Sequence, residues 1–519
     1  MEATSATTVG AQGNGSSLER EQIEVTNPAT GAVSGSVPRA TEADVRDTVA
    51  RVRRNQPAWE ELGFEGRAKW LDKLRDWLVD NHETLADTLQ SESGKTRIEA
   101  SLEGSYCAHS IKYYTKNAEK FLSEETPRGR HPLIIPKQLK IIHRPHEVVG
   151  IIGPWNYPLI LTLGDAIPAL AAGASVVIKP ASLTPLALRE IIRAWKHEIG
   201  GPDVLDIVCG GSDVGRPLIN EVDFIGFTGS EETGKSVMRD AAENLIGVSL
   251  ELGGKDPMVV LADADMERAV NGAAFGGLIN CGQTCISVER VYVEEPIYDE
   301  FVDRLAEKVR GLKQGADDRS YKVDLGAMVD PSQIDIVERH VEDARERGAR
   351  ILTGGKRREG QGQFYEPTVI ADVDHSMQCM VEETFGPTIP VMKVRDAEEA
   401  IRLANDSKYG LSSSVWSGSR ARGEAVARRI QAGSCNVNDV IVNYFATEVP
   451  FGGWKASGIS SRHGEHGIRK FTKTESLVIT RVATKSELSW YPHTKPKGRL
   501  IRTVMQFSNG RGIRQRLGL

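Results

Sequence analysis

The chain has 519 residues, of which 40% are hydrophobic and 26% are charged, and its formal net charge is −6. This length exceeds one ordinary domain core, so two or three domains are expected, and the composition excludes a disordered or fibrous chain. The small negative charge argues against a nucleic-acid binder, and no apolar run reaches the ~20 residues that a membrane-spanning helix needs.

The N-terminal residues 1–21 are mostly small and polar and contain no basic start followed by an apolar core. This pattern predicts a flexible tail rather than a signal peptide. The six cysteines are scattered, and no CxxC or paired His/Cys set has metal-ligand spacing. We therefore expect reduced thiols, no metal site and a cytoplasmic protein.

Helices are predicted first along the chain. Thr41 is placed to cap a helix, and Val45, Val49 and Val52 fall on one face of that helix. A second segment with helical spacing follows, in which two tryptophans are interpreted as core or interface packing; its apolar residues are Trp70, Leu74, Trp77, Leu78, Leu85 and Leu89.

From about residue 147, short apolar runs alternate with helical stretches. The runs are Val148–Ile152, Ser175–Ile178, Val204–Val208, Val222–Phe227 and Val248–Leu250. Such alternation predicts a parallel sheet covered by helices on both faces. Another alternating series begins at Met258–Leu261 and includes helical stretches at 298–313 and 332–347, which predicts a second α/β domain.

Three segments have a different character. Gln138–His143 and Ser476–Thr480 alternate like strands but belong to neither predicted domain. The C-terminal residues 486–519 carry seven Lys or Arg and one acidic residue, Glu487. The simpler interpretation is a solvated tail with some surface packing, and the alternative is a basic segment that contacts a partner subunit or an anionic surface.

One cysteine stands in a tract suited to chemistry. Gly282-Gln283-Thr284-Cys285 allows close backbone placement and an exposed sulfur, although a cysteine is more commonly a small buried residue. Glu251 precedes Cys285 by 34 residues, in Glu251-Leu252-Gly253-Gly254-Lys255 directly after a strand. A carboxylate at a strand end is commonly just solvated, but hydrolysis of a thioester needs one that activates water.

Two further tracts follow predicted strands. Trp155 and Asn156 come after a strand end, where open α/β sheets bind their ligands. Asn156 is either a loop-stabilising amide or a donor to an oxyanion. Thr228, Gly229 and Ser230 lie where a strand ends and a helix begins, and backbone N–H groups there suit a pyrophosphate. The turn has Gly-x₄-Gly spacing and lacks the usual G-x-G-x-x-G fingerprint.

Together these tracts resemble the aldehyde dehydrogenase superfamily from about residue 22 to 481, and Glu382–Pro387 and Pro450–Gly453 add to the likeness. The resemblance implies an α/β fold with three parts and a homodimer or homotetramer. The parts are a Rossmann-like coenzyme domain (22–132 and 147–253), a catalytic α/β domain (254–450) and a small β oligomerisation domain (133–146 and 470–485), with 486–519 as a basic extension.

The resemblance also implies roles for single residues. Cys285 would attack the aldehyde, Asn156 and the backbone N–H of Cys285 would hold the oxyanion, and Glu251 would activate the water that hydrolyses the thioester. The residues expected at the coenzyme, NAD or NADP, are Trp155, Lys179, Ser182, Thr228, Gly229, Ser230, Glu383 and Phe385. Because a thiolate is the nucleophile, Cys285 is expected to be partly exposed and near groups that favour its anion.

The chain departs from the family at two positions near these sites. Many NAD⁺-preferring members carry Glu three residues after the ribose-binding lysine, whereas Ser182 follows Lys179 in this chain. A serine removes a charge that would repel a 2′-phosphate, so we expect NADP to be tolerated or preferred. Arg462 replaces an acidic residue that some members use as an auxiliary base, so that role does not transfer.

The substrate is predicted from two further positions. The chain is similar to bacterial succinate-semialdehyde dehydrogenases, which bind the far carboxylate of the substrate with two arginines. The matching positions are Leu163 and Ile279, and burying a carboxylate without a partner there would be costly. The tract Asn438–Asn443 is more similar to members acting on medium-chain or aromatic aldehydes, so such apolar aldehydes are predicted, with NADP-type oxidation of succinate semialdehyde as the alternative.

Three other functions were weighed against this one. A CoA-acylating enzyme is disfavoured because that subgroup generally lacks the base at Glu251. A catalytically inactive member is disfavoured because Cys285, Glu251 and Asn156 are all present. A thiol redox sensor would need Cys281 and Cys285 to approach within ~7 Å between their Cα atoms, and core packing of Cys281 is the simpler interpretation.

Overall fold

The computed structural model describes residues 21–131 and 133–509, without the side chains of 507–509. The predicted flexible tail therefore lies outside the described residues except for residue 21, and so does the last part of the basic extension. The described chain forms one six-stranded sheet, one seven-stranded sheet and two two-stranded sheets, with helices around the two large ones.

The first part of the described chain, up to residue 251, contains eight of the sixteen α-helices. Its elements are β1 (Gln22–Thr26), β2 (Val33–Pro38), α1 (Glu42–Glu61), α2 (Gly63–Asp80), α3 (His82–Ser93), α4 (Arg97–Leu122), β3 (Lys137–Pro145), β4 (Val148–Ile152), α5 (Leu163–Ala172), β5 (Ser175–Lys179), α6 (Leu186–His197), β6 (Leu205–Ile207), α7 (Ser212–Glu221), β7 (Phe224–Thr228), α8 (Glu231–Glu243) and β8 (Gly247–Glu251).

The second part alternates in the same way and ends in a helix. Its elements are β9 (Asp256–Val260), α9 (Met266–Leu278), β10 (Val288–Glu294), α10 (Tyr298–Arg310), α11 (Pro331–Glu346), β11 (Arg350–Thr353), β12 (Thr368–Ala371), α12 (Gln378–Val381), β13 (Thr388–Val394), α13 (Ala397–Asn405), β14 (Ser414–Trp416), α14 (Arg420–Ala427), β15 (Asn436–Val437), β16 (Gly458–Ile459), α15 (Gly464–Arg469), β17 (Thr472–Thr480) and α16 (Lys495–Asn509), with short 3₁₀ turns at Ile279–Gly282, Glu295–Ile297, Val442–Tyr444 and Lys455–Ser457.

The first predicted helix begins where its cap was expected. The Thr41 hydroxyl accepts a hydrogen bond from Asp44 N at 3.2 Å, and the Asp44 carboxylate accepts one from Thr41 N at 2.9 Å. This reciprocal box satisfies two N–H groups that the helix itself leaves unpaired. Val45, Val49 and Val52 are buried beneath α1, which confirms the predicted apolar face.

The six-stranded sheet has the order β16-β8-β7-β4-β5-β6. All pairs from β6 to β8 are parallel, and all residues of β5 and β7 are buried, which confirms a parallel sheet covered on both faces. The chain starts at β4, adds β5 and β6 on one side, and then returns to add β7 and β8 on the other. The strand order therefore reverses between β4 and β7, and ligands of such sheets bind outside the strand ends at this point.

The seven-stranded sheet has the order β11-β12-β13-β10-β9-β14-β15 and is parallel except for β11 at its edge. Its strands lie between Asp256 and Val437, within the predicted second α/β region. The six-stranded sheet also contains one strand, β16, that lies outside the residues predicted for it. β16 pairs antiparallel with β8, Gly458 opposite Glu251, so a late segment closes the edge of the sheet next to Glu251.

The two unassigned strand candidates pair with each other. β3 and β17 form an antiparallel ladder that runs from Thr472 opposite Pro145 to Thr480 opposite Lys137. Most of their residues are only half-buried, as expected for a ribbon that projects from the two large sheets.

The described part of the C-terminal extension is mostly exposed, as expected for a solvated tail, and Lys495–Asn509 within it forms α16. Its apolar residues Leu500, Ile501, Val504 and Met505 recur at helical spacing, which the prediction of a tail did not consider because it rested only on the charges of this segment. Among the described residues, no helix is both long enough and apolar enough to cross a membrane.

Candidate active site

Cys285 follows a tightly tied loop at the end of α9. Asn280 and Cys281 both adopt left-handed backbone conformations, with φ of 51° and 57°. Asn280 N donates to Glu99 Oε1 at 2.6 Å, Asn280 Nδ2 donates to Asn156 O at 3.0 Å, and Gln283 Nε2 donates to Asn280 O at 2.9 Å. These bonds hold a strained backbone that places Cys285, rather than Cys281, at the cavity surface.

Glu251 and Cys285 meet although they belong to different sheets. Glu251 is the last residue of β8, and its Oε1 accepts a hydrogen bond from Cys285 Sγ at 3.3 Å. The backbone between the two large sheets passes close to Cys285 at Gly254, where a Cβ would overlap the Cys285 carbonyl oxygen. The glycines of the Glu-Leu-Gly-Gly-Lys tract therefore allow the approach of the carboxylate to the thiol.

The expectation about Cys285 is half met. Its side chain is half-buried, so it is partly exposed as predicted. The expected anion-favouring surroundings are wrong for the residues of this chain: burial raises the pKa of the thiol well above its usual range, and the carboxylates of Asp256 and Glu383 add to the shift. The Cys285 thiol donates its hydrogen bond to the Glu251 carboxylate.

Asn156 lies beside Cys285 and is 3% exposed. Its Nδ2 donates one hydrogen to Gln283 O at 2.9 Å, which leaves the second hydrogen of the amide for another acceptor. Its backbone oxygen accepts from Lys95 Nζ at 2.9 Å, and Lys95 is itself paired with Glu103 at 2.5 Å. The contact of this buried ion pair with Asn156 was not predicted, because no local sequence pattern connects the region of α4 with the loop after β4.

A cleft of about 860 Å³, including its open mouth, lies at the point where the strand order of the six-stranded sheet reverses. It brings together most of the residues predicted at the coenzyme, together with Cys285 and Asn156. The predicted residues that line it are Trp155, Thr228, Gly229, Ser230, Glu383 and Phe385. Ser230 also caps α8, whose first N–H groups therefore face the cleft.

The far wall of this cleft is a loop fixed by buried charge. Glu289 accepts hydrogen bonds from the backbone N–H groups of Thr384 and Phe385, both at 2.8 Å, and is paired with Lys255 at 2.5 Å. Glu383 accepts from Gly254 N at 2.8 Å, and burial together with the charge of Glu289 raises the pKa of Glu383. A Cβ at Gly253 would overlap the Glu383 carboxylate, so a larger residue there would displace that side chain.

Lys179 and Ser182 lie apart from the residues that line this cleft. Lys179 ends β5, and its Nζ donates to Pro180 O at 2.9 Å. Burial lowers the pKa of Lys179 to about 8. Ser182 donates to Gly210 O at 3.2 Å, between the ends of β5 and β6. These positions suit the adenosine half of a dinucleotide whose nicotinamide half fills the cleft.

A second cavity opens on the other side of Cys285, with a volume of about 510 Å³ including its mouth. Its walls are mainly aliphatic and aromatic, and no Lys, Arg or His is present among the described residues that line it. The lining residues are Glu99, Leu102, Tyr157, Ile160, Leu161, Ile279, Thr284, Cys285, Ile286, Ile441, Tyr444 and Phe445. Ile279 lies on the wall as predicted, whereas Leu163 is buried at the start of α5 and is not part of it.

Arg462 forms a buried ion cluster behind Glu251. Its Nη1 pairs with Glu251 Oε2, and its Nε and Nη2 donate to both Asp165 oxygens at 2.9 and 2.8 Å. Burial alone would raise the pKa of Asp165, but Arg462 and Lys470 hold it at about 2. Asp165 was not singled out from the sequence; its place two residues after Leu163 carries no local signal.

Cys281 does not face Cys285. It is 1% exposed and packs in the apolar cluster on the other side of the seven-stranded sheet, whereas Cys285 packs against the main cluster. Burial raises the pKa of the Cys281 thiol to about 12. The redox-sensor hypothesis is therefore not supported, and core packing accounts for this residue.

Comparison with known proteins agrees with this geometry. The sequence profile described as "Aldehyde dehydrogenase family" matches residues 15–477. A Mycolicibacterium smegmatis protein provisionally named a succinate-semialdehyde dehydrogenase (NADP⁺) is 39% identical over 470 residues, which cover 89% of this chain and 90% of that protein. A 4,4′-diapolycopene aldehyde oxidase from a Methylomonas species is 38% identical over 476 residues, covering 91% and 88%.

Solved structures show the same architecture. Lactaldehyde dehydrogenase from Escherichia coli has a TM-score of 0.85 and 34% identity, covering 89% of this chain and 96% of that one. The NAD⁺ complex of an aldehyde dehydrogenase from Bacillus cereus also has a TM-score of 0.85 and 34% identity, covering 89% and 94%. The chain therefore belongs to the aldehyde dehydrogenase family, as an NAD(P)-dependent enzyme that oxidises an aldehyde to a carboxylic acid.

Proposed function

We propose that this enzyme oxidises apolar medium-chain or aromatic aldehydes, with Cys285 as nucleophile, Glu251 as general base and Asn156 as oxyanion donor. The observation that carries the proposal is the cavity beside Cys285, whose walls are aliphatic and aromatic and whose described lining contains no cation. An apolar substrate gains about 0.8 kcal/mol for each CH₂ that it buries there.

The catalytic steps follow from the positions of these side chains. The Cys285 thiol gives its proton to Glu251, 3.3 Å away, as the sulfur attacks the aldehyde carbon, and Glu251 releases this proton to solvent before the thioester is hydrolysed. The oxyanion of the thiohemiacetal receives the second Nδ2 hydrogen of Asn156, with the backbone N–H of Cys285 as the other donor. A nicotinamide coenzyme held in the cleft by Glu383 and Phe385 would supply the acceptor for the hydride. Glu251 then takes a proton from water, which attacks the thioester and releases the acid and the free thiol.

The residues around the cleft fit a nicotinamide dinucleotide. Trp155 and Phe385 meet edge to face across it, with ring centroids 5.6 Å apart. We propose that Glu383 holds ribose hydroxyls of the nicotinamide half and that Thr228, Gly229 and Ser230 lie at the pyrophosphate. Lys179 and Ser182 would contact the adenosine ribose. Because Ser182 carries no charge to repel a 2′-phosphate, NADP is accommodated and NADP preference is proposed.

The buried carboxyl group of Glu99 also disfavours succinate semialdehyde, whose own carboxylate would enter the same cavity. Glu99 lines the cavity, and burial raises its pKa although it accepts hydrogen bonds from Asn280 N and Thr96 N. A second carboxylate in the same apolar cavity would raise the energy of both, because Lys95, the cation that acts on Glu99, does not line the cavity. Lys95 lies 4.5 Å from the ring centroid of Tyr157 and is already paired with Glu103.

The names of the relatives point to two alternatives. The Mycolicibacterium smegmatis relative supports succinate semialdehyde with NADP⁺, and the Methylomonas relative supports a long apolar aldehyde at nearly the same identity. The apolar lining favours the second. A CoA-acylating reaction is the least favoured alternative, because Glu251 directly contacts Cys285 and water has a base in place.

The remaining expectations concern the protein as a whole. We propose that 22–132 with 147–253 form the coenzyme domain, 254–450 the catalytic domain, and the β3–β17 ribbon the contact of a homodimer or homotetramer. We also propose a cytoplasmic enzyme that does not bind nucleic acid. The half-buried faces of the ribbon support the assembly, since a two-stranded ribbon is marginally stable by itself.

A panel of aldehydes tests the proposed substrate class. Hexanal, benzaldehyde and succinate semialdehyde are compared at equal pH and salt, with NAD⁺ or NADP⁺ and with or without CoA. We expect kcat/KM to be at least roughly tenfold higher for hexanal or benzaldehyde and CoA to have no effect on the product. A preference of about tenfold or more for succinate semialdehyde would overturn the apolar-cavity proposal.

A further inference from the structure

The C-terminal extension combines positive charge with exposed apolar side chains. Residues 488–519 contain seven Lys or Arg and no Asp or Glu. The last acidic residue of the chain, Glu487, is already paired with Lys137 at 2.6 Å. The positive charge of this segment therefore has no acidic partner within the segment itself.

Three of the four described cations of α16 lie apart from its apolar residues, whereas Lys497 lies among them. Lys495, Arg499 and Arg502 are spaced four and three residues apart and share one exposed face of the helix. Leu500 and Met505 lie outside that face and are 51% and 49% exposed. Just before the helix, Trp490 and Tyr491 are 57% and 82% exposed.

We propose that α16 and the Trp490–Tyr491 turn lie on an anionic lipid surface. Nucleic acid would pair with the cations but leave the exposed apolar side chains in water, whereas a lipid surface satisfies both. Trp and Tyr suit the boundary between headgroups and acyl chains. The helix lies on the surface rather than across it, since no described helix can span a membrane. The proposal does not depend on which aldehyde the enzyme oxidises.

Vesicle sedimentation with the full chain tests this surface. We expect binding to phosphatidylcholine vesicles that contain phosphatidylglycerol, weak binding to phosphatidylcholine alone, and release at high salt. Lys495→Glu, Arg499→Glu and Arg502→Glu together should weaken binding at least roughly tenfold, because each cation near an anionic surface contributes. Leu500→Gln with Met505→Gln should weaken binding to both vesicle types.

A matched control changes charge elsewhere by the same amount. Arg54, Lys69 and Lys116 are exposed cations on α1, α2 and α4, and their replacement by Glu should leave vesicle binding unchanged. Equal loss in this control, or no binding by the wild type, would overturn the proposal. Preferential binding to an oligonucleotide would also overturn it. If the charge reversal changes only the oligomeric state measured by light scattering, the surface belongs to a contact with a second copy of the chain and the proposal fails.

A second inference concerns the ion cluster behind the proposed base and rests on the proposed role of Glu251. Glu251 uses one oxygen for Cys285 and the other for Arg462, and Arg462 is fixed by two bonds to Asp165 and one to Thr228. Glu251, Asp165 and Arg462 are at most 7% exposed. In such a site a carboxylate keeps its charge and direction only if a cation faces it.

The geometry points to Arg462 as a positioning residue that directs the Glu251 carboxylate toward the thioester. The other charged or titratable groups of the cluster are Lys470, which lies 3.8 Å from Asp165, and His463, whose Nε2 lies 2.6 Å from the Tyr106 hydroxyl. Lys470 contacts Asp165 and Ser249, so Arg462 is the cation that reaches Glu251 among the described contacts.

Rapid-mixing kinetics separate positioning from general stability. Arg462→Met should retain the burst of NAD(P)H in the first turnover, slow deacylation at least roughly tenfold and shift the kcat profile to higher pH. Arg462→Lys should restore part of the rate. The control is Lys470→Met, which removes a cation from the same cluster without touching Glu251 and should keep the pH profile.

The outcomes distinguish this role from the role of the base itself. If Glu251→Gln stalls after the burst while Arg462→Met keeps wild-type deacylation and pH dependence, only the positioning role fails. If Glu251→Gln turns over normally, the proposed base is wrong and the inference fails with it. If Arg462→Met and Lys470→Met lose burst and turnover equally and melt at equally lowered temperature, the cluster is purely structural.

Discussion

Two cavities meet at Cys285, and they are built in opposite ways. The coenzyme cleft is formed by strand ends, glycines and a polar loop at the point where the strand order reverses. The second cavity is formed by side chains from α4, from the loop after β4 and from two further loops, and it is mostly apolar. The cleft serves a ligand of fixed chemistry, whereas the second cavity selects by shape and by desolvation.

This difference explains why the sequence predicts the residues of the coenzyme cleft better than those of the second cavity. Backbone approach to a dinucleotide requires glycine and small residues at defined offsets, so it leaves short motifs such as the one around Gly253. An apolar wall needs only bulk, so Ile279 and Phe445 leave no motif.

The largest effect is expected where the cavities meet. Cys285→Ala should lower kcat more than about 10³-fold with the fold intact, because no covalent intermediate forms. Steady-state NAD(P)H production and circular dichroism measure the two properties. Cys281→Ala is the matched control and should keep activity, since Cys281 is buried on the other side of the sheet. A folded Cys285→Ala enzyme that keeps more than a few per cent of wild-type kcat would be inconsistent with the site.

Replacing the base should divide the reaction into its two halves. Glu251→Gln should still release one NAD(P)H per site in a first-turnover burst, at a lowered burst rate because the Cys285 thiol loses its proton acceptor, and then lose at least roughly 10²-fold in steady-state turnover because water has no base. Rapid mixing with NAD(P)H absorbance measures both. Glu382→Gln, an exposed carboxylate beside the coenzyme loop, is the control and should behave as wild type. Absence of a burst together with unchanged turnover contradicts the role.

A cation added to the apolar wall should change substrate choice. Ile279→Arg should shift the ratio of kcat/KM toward succinate semialdehyde and away from hexanal by roughly ten- to 150-fold, the range of one charge-assisted hydrogen bond. Ile279→Met keeps the wall apolar and should leave the ratio nearly unchanged. If Ile279→Arg has no effect on the ratio although the protein folds, the substrate does not reach this wall.

The smallest effect is expected at the adenosine end. Ser182→Glu should shift the ratio of kcat/KM toward NAD⁺ on the order of tenfold, because Glu repels a 2′-phosphate and accepts hydrogen bonds from a free 2′-hydroxyl. Initial rates with both coenzymes measure it, and Ser182→Ala separates loss of the hydroxyl from gain of charge. A shift toward NADP⁺, or none, would show that position 182 does not face the ribose.

The amino-acid sequence by itself determined the repeating α/β pattern and the residues that the chemistry demands. The parallel strands, the cap at Thr41 and the tracts around Cys285 and Glu251 were readable because their spacing follows local rules of helix, strand and turn. The β3–β17 strands were also recognised, although only their pairing shows why they belong to neither large sheet.

Only the tertiary structure decided how charge is arranged around the site. Arg462 meets Asp165 across 297 residues of chain, Glu99 reaches Asn280 across 181, and burial together with nearby carboxylates raises the pKa of the Cys285 thiol. Local patterns report a residue's own backbone and burial, whereas the pKa of a group and the shape of a cavity depend on which distant side chains are brought within a few ångströms. The folded chain alone sets those distances.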